Sequence, residues 1–388
     1  MLRYKMGLDI GNSAVKGAIL GVDNTLLAEI ESPSMISCIP DSKYLTFENE
    51  QDCYFQILDS KLEHFDEITA VGQKALDLPQ HQEYDVFSSN YKTGSKLTAH
   101  LLFGALISNL TDLADLELKL AVSIPIVEAK RIGLVSSYYN KLIGTHRLRI
   151  LRADHMQGYQ ITINITAAKI VNEGQAGFFG LLDTMDQQFQ GVMNNVYSSL
   201  GETTNPIRDL EDFIVVDIGE GTTDISVFKH KKFNPDYSFS LTQGIGNILE
   251  NARALAAREQ LLIDSRKELQ HVLDSTNRRQ ESRRRRWESY VRPNVTAFID
   301  QLTDIIIRTY GNNDYFDAII FLGGGFTALT GYGFDLSQQL TSKQEQLFDV
   351  LRQKLKQTNK TCDLIFGLPA PYARSSNRRG LTQLLTIM

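Results

Sequence analysis

The chain has 388 residues, of which 42% are apolar and 22% charged, a composition that excludes an intrinsically disordered protein. A single core rarely grows past about 250–300 residues, so two domains are expected. A net charge of −6 gives no electrostatic basis for a nucleic-acid-binding body.

The start, MLRYKMGLDIG, passes directly into an apolar strand at 4–10 and has no signal-peptide apolar region. GNSAVKG then reads as a turn, and AILGV as the returning strand. Neither GxGxxG nor GxxxxGK[ST] occurs, so the two common phosphate-loop motifs are absent. Residues 25–95 mix short strand-like runs with polar loops and read as an irregular subdomain. Residues 96–109 have helical periodicity. LKLAVSIPI (118–126) is a buried strand stopped at Pro125, and 127–142 is expected to be helical. HRLRIL and YQITINIT read as short alternating strands. AKIVNEGQAGFFGLLDTM passes from a strand into a helix at about Gln175.

Residues 186–212 are polar and turn-rich, and read as a domain junction or inserted loop. The order of elements then repeats: a hairpin at 213–229, a strand at 237–242, Gly-Ile-Gly, and a long helix at 247–273. A helical region at 284–310 has an apolar face including Trp287, Val291, Phe298, Leu302 and Ile305. FDAIIFLGGGFTAL is a buried strand and a glycine turn. Helices at 343–357 and 378–387 close the chain. Cys38, Cys53 and Cys362 are too few and scattered for a disulfide framework or a zinc site. No run approaches the ~18 apolar residues of a membrane span, so a cytoplasmic protein without a membrane partner is expected.

The two hairpins share a pattern. GLDIGNSAVKG and VVDIGEGTTDIS each place Asp-Ile-Gly after an apolar run, about two hundred residues apart. A tip of Gly and small hydroxyl residues exposes backbone N–H groups that can cradle phosphate oxygens. Gly11, Asn12 and Ser13 form one tip; Gly219, Gly221, Thr222 and Thr223 form the other. Asp9 and Asp217 end the first strand of each hairpin. Carboxylates beside phosphates require an intervening cation, and Mg²⁺ takes one or two carboxylates together with waters and phosphate oxygens. Lys16 on the returning strand adds a point charge. Either turn alone is more often an ordinary Asp-stabilised turn; the repetition is what points to a ligand.

With these residues in hand, the chain resembles the superfamily of actin, heat-shock chaperone ATPases and sugar kinases. DIGNSAVKG is similar to its first phosphate motif, with the same seven-residue step from Asp9 to Lys16 as in actin. VVDIGEGTTDISVF resembles the second phosphate motif, KIVNEGQAGFFG the first connecting motif, and IIFLGGGFTAL the adenosine motif. ARSSNRRGLTQLL stands where the second connecting helix belongs. Within the superfamily the chain is most similar to the ParM-type bacterial and plasmid filament proteins. AVSIPI resembles their strand ending in Pro, with the usual Gly-Leu-Pro altered, and YARSSNRRGL their closing segment.

The resemblance implies an α/β protein with a duplicated, ribonuclease-H-like actin fold, two domains around a nucleotide cleft. Domain I would span 1–180, with 365–388 returning to it and an outer subdomain at 30–95. Domain II would span 212–364, with an outer subdomain at 248–305. ATP or ADP with Mg²⁺ would be the ligand. Asp9 and Asp217 would hold the metal. Gly11, Asn12, Ser13 and Lys16 would contact the phosphates, as would Gly219, Gly221 and Thr222. Gly323, Gly324 and Gly325 would let the backbone approach the nucleoside, and Gly244 and Gly246 would open the helix facing it, with Asn247, Asn251 or Arg253 reaching the ribose or base. Glu173 and Asp217 would be catalytic, Glu173 by orienting or deprotonating the attacking water. Glu220 and Asp224 lie in the same motif; Asp224 would join the water or metal network or cap the turn.

The implied activity is ATP hydrolysis coupled to filament assembly, used for plasmid or DNA segregation through a separate DNA-binding adaptor. A small-molecule kinase on the same fold and a non-segregating scaffold are the alternatives. NRRQESRRRRW carries six arginines within residues 278–286 and is expected to fall between two helices. A solvated face or filament contact ranks first for it, a contact near adenine second, and direct DNA binding third.

Overall fold

A computed structural model describes the chain except residues 49–51, 63–64, 79–81, 84–91, 111, 113, 154, 184–185, 203–205, 276, 332–341 and 371. Parts of two expected loop regions, 30–95 and 186–212, lie outside the described residues. The chain divides into two compact units, Met1–Leu181 with Asn377–Met388, and Leu182–Ser376.

The first unit is built on ten strands: β1 (Leu2–Ile10), β2 (Ala14–Leu20), β3 (Leu26–Pro33), β4 (Met35–Ile39), β5 (Tyr54–Asp59), β6 (Phe65–Val71), β7 (Gln82–Glu83), β8 (Leu116–Ile124), β9 (Gly144–Arg152) and β10 (His155–Asn172). They form one sheet in the order β3-β2-β1-β8-β10-β9-β5-β6-β4-β7. β1 and β2 are an antiparallel hairpin, while β8 runs parallel to both β1 and β10. Alternation in β8 gives way to five consecutive buried residues ending at Ile124, as expected of a parallel strand covered on both faces. The helices are α1 (Gly72–Leu76), α2 (Lys96–Ile107), α3 (Ile126–Ala129), α4 (Leu134–Leu142) and α5 (Glu173–Leu181). Phe103 and Leu106 of α2 join Leu8, Leu120 and Ile163 in the core of this unit.

The second unit contains α6 (Gln187–Ser199), β11 (Phe213–Ile218), β12 (Thr223–Lys229), β13 (Lys232–Phe233), β14 (Phe239–Leu241), α7 (Ile245–Arg258), α8 (Arg266–Asp274), α9 (Glu281–Thr309), β15 (Tyr315–Leu322), α10 (Gly324–Gly331), α11 (Ser342–Gln357) and β16 (Thr361–Gly367). α12 (Tyr372–Thr386) begins here and ends in the first unit. The sheet order is β13-β12-β11-β15-β16, with β14 beside β12. Every residue of β11 is buried. A hairpin whose first strand leads a parallel series therefore recurs: β2-β1-β8-β10 in one unit and β12-β11-β15-β16 in the other. This is the duplicated α/β architecture the resemblance implies.

Several elements differ from expectation. The polar stretch after Asp186 is a helix: Asp186 caps α6 by accepting the Phe189 amide at 2.9 Å, and Phe189, Met193 and Tyr197 form its buried face. The long helix at 247–273 is two helices. Ser265 caps α8, and the Arg253 guanidinium donates to the Ile263 and Asp264 carbonyls across the break. Residues 127–142 break at Gly133, which has a φ of +79°. The expected strand YQITINIT extends to 18 residues, accommodated by a bulge between Ile165 and Ala167. Residues 365–376 belong to the second unit, and the closing helix starts at Tyr372. The arginine run lies only partly between two helices: Arg278 and Arg279 are in a 3₁₀ turn between α8 and α9, and the other four open α9. There Arg283 pairs with Glu268 at 2.8 Å, Arg284 with Glu288 at 3.3 Å, and Arg285 with Glu281.

Two packing features of the first unit yield predictions. Gly380 of α12 crosses α5 so closely that a Cβ there would collide with the Ala176 carbonyl and lie 2.9 Å from the Gly180 nitrogen. Gly380→Ala should destabilise the chain by about 1–3 kcal/mol despite the better helix propensity of Ala. A lower urea midpoint with unchanged m-value is the expected result.

His146 on β9 is fully buried. Its Nε2 donates to the Leu142 carbonyl at 2.8 Å, so Nδ1 accepts from the Ser60 hydroxyl at 2.7 Å. Burial holds the imidazole below its ordinary pKa, opposed by the Leu142 carbonyl. The folded state thus binds fewer protons than the unfolded one, and stability should fall as pH drops below about 6.5. Urea unfolding at pH 7.5 and 5.0 should show a smaller difference in His146→Asn than in the parent; an equal difference would exclude His146 as its source.

Candidate functional site

In the first unit, the β1–β2 register places Asp9 opposite Lys16. The next strand places Glu31 opposite Lys16 on the other side. Lys16 therefore lies in a row of alternating charge across three strands. The tip closes through the Gly11 amide, which donates to the Ala14 carbonyl at 3.0 Å. Ser34 secures it from the side: its hydroxyl donates to the Gly11 carbonyl at 2.6 Å, and its amide to the Ser13 carbonyl at 3.1 Å. Those carbonyls are occupied, whereas the amides of Asn12 and Ser13 meet no acceptor among the described residues.

Asp9 is held by three elements. Ser123 at the end of β8 donates to Oδ1 at 2.8 Å, and Asn377 of α12 donates to Oδ2 at 3.4 Å. The Lys92 ammonium lies 3.9 Å from Oδ1. That ammonium also contacts Glu173 Oε1 at 2.5 Å. Glu173 is the first residue of α5, whose start is fixed by reciprocal bonds between Asn172 and Gln175. Lys92 is thus a buried cation between Asp9 and Glu173, two of the carboxylates expected from the sequence, and was itself not foreseen. YKTGSKL carries no motif spacing, and it lies in the segment read only as irregular.

The second unit repeats the tip without the lysines. The Gly219 amide donates to the Thr222 carbonyl at 2.8 Å. Here α7 takes the carbonyls: the Ile245 amide donates to Gly219 at 3.1 Å and the Gly246 amide to Glu220 at 2.8 Å. The amides of Gly221 and Thr222 meet no acceptor among the described residues. The register sets Asp217 opposite Asp224. Both are buried, and Asp224 accepts the Ser240 hydroxyl.

Four predicted glycines pack directly on this turn. Gly323, with a φ of +96°, would drive a Cβ into Asp217 Oδ1 and Ile218; one at Gly325 would lie 2.5 Å from the Gly219 carbonyl. A Cβ at Gly244 would stand 2.5 Å from the Glu220 carbonyl, and one at Gly246 would stand 2.8 Å from Arg266. Their absent side chains let α7 and α10 stack on residues 217–220, and Gly323 turns β15 straight into α10. At Gly324 a Cβ would meet only Arg374, at 3.9 Å. Of the three side chains selected on α7, Asn247 caps the helix by accepting the Gly244 amide at 2.9 Å, and Arg253 staples the α7–α8 connection. Asn251 is exposed. Arg266, 3.8 Å from Glu220, was not foreseen.

Among the described residues no group of three or more His, Cys, Asp or Glu forms a metal cage. Asp9, with both oxygens already hydrogen-bonded, fits an ion that brings most of its ligands as water and phosphate oxygen, as Mg²⁺ does.

Residues 215–331 match the family model described as archaeal actin homologue MreB-like, C-terminal. No curated protein matches the chain. Among solved structures, apo pSK41 ParM is similar over 100% of this chain and 98% of its own, with 17% identity and a TM-score of 0.60. The archaeal actin homologue Ta0583 is similar over 99% and 100%, with 15% identity and a TM-score of 0.62. ParM of Bacillus thuringiensis, solved with ATP, is similar over 100% and 99%, with 14% identity and a TM-score of 0.59.

Proposed function

We propose that this chain, whose fold is that of the actin-like ATPase superfamily, binds and hydrolyses ATP and assembles into filaments. One observation carries the reading. In each hairpin tip a neighbouring element takes two of the carbonyls, and two successive amides are left open beside a strand-end aspartate. That is the arrangement an oligophosphate with a bound cation requires. The B. thuringiensis ParM structure with ATP supplies the nucleotide class.

In this reading the amides of Asn12 and Ser13, with Lys16, take phosphate oxygens from one unit, and the amides of Gly221 and Thr222 from the other. Gly244, Gly246, Gly323 and Gly325 keep the second tip in shape, and Gly324 remains on the open side for the nucleoside. Asp9 and Asp217 hold Mg²⁺, which supplies charge neutralisation at the phosphates. Glu173 orients the attacking water and accepts its proton at a carboxylate oxygen. Lys92 offsets part of the charge of Asp9 and Glu173 before ATP arrives, and its ammonium would donate to a phosphate oxygen afterwards. Phosphate contacts made from both units and lost on hydrolysis would switch the filament between assembly and disassembly. The likeness to ParM makes DNA segregation through a separate adaptor, in the cytoplasm, the proposed use. Among the described residues no helix is long and apolar enough to cross a membrane.

Light scattering and electron microscopy with ATP, ADP and no nucleotide test the assembly. Filaments that depend on the nucleotide are expected; monomers under every condition, across salt and protein concentration, would refute it.

For the chemistry, Glu173→Gln is preferable to Ala, since Gln keeps an amide oxygen that can accept from the buried Lys92 ammonium. The Gln variant should bind ATP as the parent does while phosphate release falls by about 10²-fold or more. Unchanged release would remove Glu173 from the reaction.

A further inference from the structure

The stretch Ser123–Glu128 reaches the first half-site twice. Ser123 orients Asp9, as described above. Glu128, on α3 just past Pro125, is completely buried, and its two carboxyl oxygens accept separate backbone amides, Lys92 at 2.8 Å and Thr93 at 2.9 Å. On the other side of the same peptide segment, the Thr98 hydroxyl donates to the Lys92 carbonyl at 2.7 Å.

Lys92 belongs to no sheet and no long helix; Lys92–Gly94 is a single 3₁₀ turn. Its backbone is held by the Glu128 and Thr98 side chains and by one longer bond from the Ser95 amide, at 3.4 Å. A lysine is a point charge on a flexible four-carbon stem, so where its ammonium lies depends on where its Cα is held. Placing a carboxyl group in an apolar interior costs free energy unless both oxygens are satisfied. An apolar side chain would fill the same space on α3 but leave two buried amides unpaired.

We infer that Glu128 is a positioning residue: it fixes the Lys92 backbone so that the ammonium is delivered to Asp9 and Glu173. The consequence for catalysis rests on the ATPase reading above, while the structural link does not. α3 thereby becomes part of the site without touching the nucleotide, and movement at Pro125–Glu128 would be transmitted to Lys92.

The experiment measures two things on the full chain. The first is the rate at which an amine-acylating reagent modifies Lys92, mapped by mass spectrometry without nucleotide, with exposed Lys43 as the internal standard. Glu128→Gln, which turns one acceptor into a donor facing an amide, should raise the Lys92 rate about tenfold or more and leave Lys43 unchanged. An unchanged Lys92 rate would overturn the inference. The second is ATP turnover in a double-mutant cycle. Glu128→Gln should lower turnover about tenfold or more, yet cost nothing further in a Lys92→Met background. Additive losses would show a general structural effect and overturn the positioning role. If the parent hydrolyses no ATP, the ATPase reading fails, and the acylation rates still decide the Glu128–Lys92 link. Should Glu128→Gln not fold, Thr98→Val, which removes the shorter of the two bonds to the Lys92 carbonyl and leaves the Ser95 amide at 3.4 Å, carries the same acylation measurement. Faster modification is expected there too, and no change would overturn the inference.

Discussion

The arrangement depends on one constraint: in a tight turn, the carbonyls must be satisfied before the amides are of use. A glycine hairpin left to itself pairs its own groups or leaves both kinds to water. Here an outside element takes the carbonyls in each unit. Ser34, between β3 and β4, bonds to Gly11 and Ser13. The first turn of α7 does the same for Gly219 and Glu220. The strand-end aspartates, the close-packed glycines and the capped helix starts follow from keeping each tip in that state.

The core of the fold was legible because buried strands and their punctuation are local. Both hairpins, the buried run before Pro125, α2 and the strand at 315–322 are visible in apolar patterning alone. What was missed also has physical causes. The α6 signal, an Asp cap with Phe189, Met193 and Tyr197 four residues apart, was present but diluted by polar neighbours. The capping pair Ser265 and Glu268 marks the start of α8, and the helical periodicity on both sides masked it. The arginine run 278–286 was ranked first as a solvated face or filament contact because a run of like charge suggests solvent; in the fold, Glu268, Glu288 and Glu281 partner Arg283, Arg284 and Arg285.

The site was legible only in part, and the division is informative. Asp9, Glu173, Asp217 and the glycines lie in contiguous motifs that a reader can align. Lys92, Glu128 and Ser123 cannot be found that way. Each acts through a partner 35 to 114 residues distant in the chain, and tertiary folding alone creates the pairing. The glycines illustrate a subtler gap. They were selected for approach to a ligand, but at Gly323 and Gly325 the close neighbour is the protein's own turn.

Duplication of the backbone has not duplicated the electrostatics. In the first unit Asp9 faces Lys16 across the ladder, with Lys92 near its other side. In the second, Asp217 faces Asp224, a like-charged pair that is costly in a buried ladder without donors or a cation. Ser240 supplies one donor to Asp224. Each tip therefore keeps an aspartate, but only the first sets lysines among its carboxylates. The second relies on a hydroxyl donor instead, so the same backbone turn stands in two different charge environments.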